Sequence, residues 1–126
     1  MRTVNLSDGE WKLMNVLWDH APCTITQLVE QLWEETGWSK HTIISMLTRL
    51  QSKGAVSYRM GTRAKQFYPT IDRLETQRQE TKSFLSKLYG GSLGLMVNTL
   101  LEEKALTREE LDELDAILKK AEEEVQ

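Results

Sequence analysis

The sequence predicts a mainly α fold with one small β-hairpin. Three observations predict it. Capping residues recur ahead of apolar runs, apolar residues recur at three- and four-residue steps, and that period gives way to short alternating segments only between Ala55 and Tyr68. With 126 residues and 40% hydrophobic content, there is material for one ordinary domain, or for one small domain and an accessory element.

Each element has a local reason. Ser7 and Glu10 have capping-box spacing, in which the hydroxyl accepts the third helical amide and the carboxylate reaches back. Trp11, Met14, Leu17 and Trp18 then define an apolar face, and Ala21-Pro22 ends that helix. Thr24 with Gln27 opens a second helix through Ile25, Leu28, Val29 and Leu32, closed at Thr36-Gly37. Ser39 caps a third, where Ile43, Met46, Leu47 and Leu50 form one inward stripe and Lys53-Gly54 is the stop. Ala55–Arg59 and Lys65–Tyr68 read as two strands around Met60-Gly61-Thr62, ended by Pro69. Asp72 with Glu75 has capping-box spacing again and opens a long helix to about Tyr89, and Gly90-Gly91 breaks it. Ser92 starts a fifth helix, and Thr107 with Glu110 starts the last.

Helix, helix, helix, hairpin is the order of a winged helix-turn-helix DNA-binding domain, expected over residues 1–71. Residues 72–126 are a helical region too short to bury a private core. Its apolar stripes call for a partner, and an identical chain is the economical one, making this the C-terminal helical dimerisation region of a homodimer. The residues expected to pair are Phe84, Leu88, Leu93, Met96, Leu100, Leu111, Leu114, Ile117 and Leu118.

Charge divides along the same line. Residues 1–71 hold 8 Lys+Arg against 6 Asp+Glu, whereas residues 72–126 hold 8 against 13. From Thr36 to Ile71 there is no carboxylate, yet there are six Lys or Arg and a His. Solvated faces ordinarily mix both signs, so a surface free of acid over this length is suited to phosphates. At 100° per residue, His41, Ser45, Thr48 and Ser52 point away from the inward stripe of the third helix, with Thr42 and Arg49 on one flank and Lys40, Ile44 and Gln51 on the other. Hydroxyls and basic groups at these turns suit a major groove. Ile44 fits either a thymine methyl or a core margin. Arg59, Arg63 and Lys65 surround the hairpin tip, where a wing meets phosphate. Together these side chains are expected to make one cationic face for a double-stranded DNA operator. The rival reading is a winged-helix docking module for proteins, which has no need to keep acid out of this window.

Leu6-Ser7-Asp8-Gly9-Glu10-Trp11, Met14 to Trp18, Trp38-Ser39, Thr42-Ile43, Leu47-Thr48-Arg49-Leu50 and Lys53-Gly54 together resemble the penicillinase repressor family. The likeness extends through Gly61, Arg63-Ala64 and Pro69 to Phe84, Leu88-Tyr89, Gly91-Ser92 and Leu111. It implies a homodimeric repressor of palindromic operators. The family's contacting positions fall on His41, Thr42, Ile44, Ser45 and Arg49, with His41 where Lys is common and Ile44 where a longer polar or basic residue is common. The resemblance also implies release through a membrane sensor-protease pathway. The family's Asn-Phe cleavage bond falls at Thr99-Leu100, where neither residue matches and Asn98 is adjacent. The copper-sensing members' Cys-x-Cys motifs are absent, since the single cysteine is Cys23.

A catalytic reading has no support in the sequence. Cys23, His20 and His41 have no metal-ligand spacing, and no phosphate-binding loop is present. No enzyme, metal or cofactor is expected. One cysteine suits a reducing, cytoplasmic compartment, no signal peptide is legible, and the apolar run Leu93–Leu101 is too short for membrane insertion.

Overall fold

The computed structural model describes residues 4–125. The elements run α1 (Asp8–His20), α2 (Ile25–Thr36), α3 (Lys40–Ser52), β1 (Val56–Met60), β2 (Lys65–Pro69), α4 (Arg73–Tyr89), α5 (Leu93–Glu102) and α6 (Arg108–Val125). Residues up to Glu80 form one compact unit and those from Thr81 a second.

In the first unit the capping boxes of α1 and α2 are both formed. Ser7 Oγ accepts from the Glu10 amide at 3.2 Å while Glu10 Oε1 accepts from the Ser7 amide at 2.8 Å. Thr24 and Gln27 repeat the exchange at α2. Leu28 and Leu32 of α2 and Ile43, Met46, Leu47 and Leu50 of α3 meet Leu13, Met14 and Leu17 of α1 in one core. The face of α1 is rotated from the sequence expectation. Glu10, Leu13, Met14 and Leu17 are the buried residues, while Trp11 and Trp18 lie half-buried at the margin with ring centroids 6.0 Å apart. The two indoles pack against the core from its edge, and the Leu and Met side chains take the interior.

Gly54, at φ 78°, turns the chain out of α3 in a conformation that side chains resist. β1 and β2 then pair antiparallel, from Val56 opposite Pro69 to Met60 opposite Lys65. At the tip the Gly61 amide donates to the Ala64 carbonyl at 2.9 Å. A Cβ on Gly61 would stand 2.8 Å from that same oxygen, so the turn closes only around glycine. Cys23 adds a third, one-residue bridge to the sheet. Its amide donates to the Phe67 carbonyl at 2.9 Å, and its carbonyl accepts from the Phe67 amide at 2.8 Å. The bridge pins the α1–α2 connection to the hairpin and buries the thiol, which burial pushes up in pKa.

The helix that opens after residue 71 is shared between units. Asp72 Oδ2 accepts from the Glu75 amide, Thr76 is buried, and Arg73 donates to Asp19 at 2.8 Å beneath the Trp18 ring. Trp18 Nε1 in turn donates to the Ile71 carbonyl. These contacts hold the first turns of α4 to the first unit.

The second unit has helices without an interior. Ser92 caps α5, and Thr107 with Glu110 closes the expected box at α6. None of its described residues is buried. Phe84, Leu88, Leu93, Leu100, Ile117 and Leu118 are exposed, and Met96, Leu111 and Leu114 are half-buried. No described helix is long and apolar enough to cross a membrane.

Candidate nucleic-acid interface

α3 is the centre of the candidate interface. Ser39 Oγ accepts from the Thr42 amide at 3.2 Å and sets the first turn. The buried stripe of Ile43, Met46, Leu47 and Leu50 then fixes which way the helix faces. Lys40, His41, Ile44, Ser45, Thr48 and Arg49 are all exposed, and Thr42 is half-buried.

Their hydrogen-bonding capacity is unequal. Thr48 Oγ1 donates to the Ile44 carbonyl at 2.9 Å, and Thr42 Oγ1 lies 3.2 Å from Ser39 Oγ. Both hydroxyls are engaged within their own helix turn, a habit of Ser and Thr in helices. The sequence expectation that hydroxyls of this face reach outward therefore narrows to Ser45. His41, Lys40 and Arg49 complete the outward polar set.

Arg59 lies opposite Gln66 and Lys65 opposite Met60 in the hairpin, with Arg63 in the turn. All three cations are exposed. Lys65 Nζ sits 4.4 Å from the Tyr58 ring centroid, where the aromatic face attracts it without neutralising it. Among the described residues, Lys40, Arg49, Arg59, Arg63 and Lys65 have no carboxylate partner.

Lys53 is the exception in the acid-free window. Its Nζ lies 2.6 Å from Glu10 Oε1 and donates also to the Asn5 carbonyl at 2.7 Å. Glu10 is only 2% exposed, and its Oε2 has no hydrogen-bond partner. This pair ties the start of α1 to the end of α3 and removes Lys53 from the cations available to a ligand. Sequence reasoning took Glu10 for a cap alone. The overlooked sign was its position, one turn before Leu13 and Met14 on what proves to be the buried stripe.

Burial alone would push the Glu10 carboxyl up, but the Lys53 ammonium and the Ser7 hydrogen bonds outweigh it and hold the group below the usual carboxylate range. A carboxyl lowered in the folded state contributes stability above its unfolded value of about 4.3, lost as pH falls through the lowered folded value. Denaturant titrations at successive pH values should therefore show stability declining below about pH 4. The decline should be shallower in Glu10→Gln.

The pattern that defines the penicillinase repressor family matches residues 6–120. The penicillinase repressor of Bacillus licheniformis is 35% identical over 113 residues, spanning 90% of this chain and 88% of its own length. The methicillin resistance regulatory protein MecI of Staphylococcus aureus is 28% identical over 119 residues, spanning 94% and 97%. Among solved structures, the Bacillus licheniformis BlaI monomer in complex with the blaP half-operator superposes with a TM-score of 0.51 at 32% identity, over 56% of this chain and 87% of that one. The oxidized form of MarR from E. coli gives 0.56 at 21% identity, over 93% and 76%, a likeness of fold alone. With the defining pattern running almost from end to end and more than a third of positions shared with one member, this chain belongs to the penicillinase repressor family.

Proposed function

We propose that this chain is a DNA-binding transcriptional repressor that grips a palindromic operator as a homodimer. The observation that carries the reading is the set of five exposed cations on α3 and the hairpin with no carboxylate partner among the described residues. In this reading Lys40, Arg59, Arg63 and Lys65 hold phosphates and set register. His41, Ser45 and Arg49 reach base edges, with Arg49 able to hold a guanine through two hydrogen bonds. Residues from Thr81 onward supply the pairing, since helices with no buried residue of their own need a second apolar surface.

An upstream signal releases the repressor by opening the paired helices. The family's cleavage position, Thr99-Leu100, lies within α5 and is exposed, and cutting there would separate α6 from the rest of the pairing surface.

The principal test is gel shift on the chain's own promoter region across salt. Three to five cations per protomer on phosphate make roughly six to ten per dimer, so affinity should fall on the order of 10³–10⁵ between 50 and 200 mM salt. No shift at low salt on any nearby palindrome would transfer the case to a protein-docking module.

A further inference from the structure

Two residues on the outer face of α3 are unsuited to phosphate. Ile44 is 38% exposed and lies outside the hydrophobic core cluster. Four residues on, Thr48 commits its hydroxyl proton to the Ile44 carbonyl at 2.9 Å. What Thr48 retains for a ligand is its methyl group and an acceptor lone pair. Residues four apart are neighbours on a helix surface, so Ile44 and Thr48 make one small, largely apolar patch.

A lone exposed isoleucine is ordinary on a protein surface. The surroundings of this one are not. It stands one turn from Lys40 and His41, both exposed, with Arg49 on the opposite flank of the same outer face, within a window that has no carboxylate from Thr36 to Ile71. A second copy of so cationic a face would be repelled, which argues against self-association there. The edge of a B-form duplex does present one apolar group in its major groove, the C5-methyl of thymine. We propose that Ile44, with Thr48 beside it, reads a thymine methyl at one position in each operator half-site. The inference rests on the operator-binding reading above and adds a specificity-determining residue to it.

The test starts from the full chain and a randomised duplex pool, from which the bound sequences are recovered. Each thymine of the recovered duplex is then replaced by deoxyuridine, which removes the methyl and leaves the base pair's hydrogen bonds intact. For the unaltered protein, deoxyuridine at one symmetric position should weaken binding about fourfold per half-site, or about 15-fold over two half-sites, the worth of one buried methyl-sized group each. Ile44→Ala should bind the thymine and deoxyuridine duplexes alike. The first comparison alters only the DNA, so it stands whatever the variant does to the protein. Unchanged affinity at every deoxyuridine position overturns the inference while leaving operator binding in place. So does a methyl effect of equal size in Ile44→Ala, which would assign the contact to another side chain. Recovery of no duplex at low salt overturns the operator-binding reading, and this inference with it.

Discussion

Lys53→Met should lower the unfolding free energy of the first unit by about 3 kcal/mol, the lower end of the cost of stranding a buried charge. The lower end applies because Lys53 itself is 38% exposed, so water already screens part of the attraction. Glu10, by contrast, is enclosed, and one of its oxygens has no partner even now. Removing the ammonium would leave the carboxylate only its interactions with Ser7. The side chain must then protonate or draw water inward, and either costs stability. The double variant Glu10→Gln with Lys53→Met keeps the shape of the capping box without a buried charge and should recover most of the loss. Denaturant unfolding followed by tryptophan emission is the measurement. All four tryptophans, Trp11, Trp18, Trp33 and Trp38, lie in the first unit. Protein concentration should be held fixed, because the proposed pairing would shift apparent stability. A loss under about 1 kcal/mol would give the pair only the weight of an exposed ion pair.

On the proposed pairing through the second unit, Ile117→Asp with Leu118→Asp should yield separate protomers and reduce operator affinity by a factor on the order of 10²–10⁴, the advantage that linking two half-site contacts confers. These two positions are better probes than Leu114. They are 56% and 53% exposed, whereas Leu114 is half-buried within its own protomer, where a charge would also disturb the helices themselves. Carboxylates at both sites would be desolvated at an apolar interface without a partner. Sedimentation should report the protomer mass while tryptophan emission shows the first unit folded as before. A variant that remains dimeric would move the interface to α4 or α5, where Phe84, Leu88 and Leu93 are also exposed.

Much of the fold was legible because its determinants are local. The boxes Ser7–Glu10, Thr24–Gln27 and Thr107–Glu110 each span four residues, and each is formed. The inward stripe of α3 follows from helical geometry alone, and all four of its predicted residues are buried. The turn of Thr48 toward the Ile44 carbonyl is equally local, four residues back along the helix. It was open to inference from the known habit of threonine in helices and was overlooked in favour of an outward hydroxyl.

Element order, helix ends, the hairpin and the segregation of charge could all be read from the order of residues, because capping, periodicity and composition act over a few neighbouring positions. The partner of Glu10, the bridge from Cys23 to Phe67 and the rotation of α1 that sets its tryptophans at the margin were decided only when the chain packed. Lys53 is 43 residues from Glu10 along the chain. Residue spacing within an element constrains which face it buries, but the meeting of two faces depends on how side chains of different volume fill a shared interior. That packing paired one cation of the acid-free window with a carboxylate and left the other five without one among the described residues.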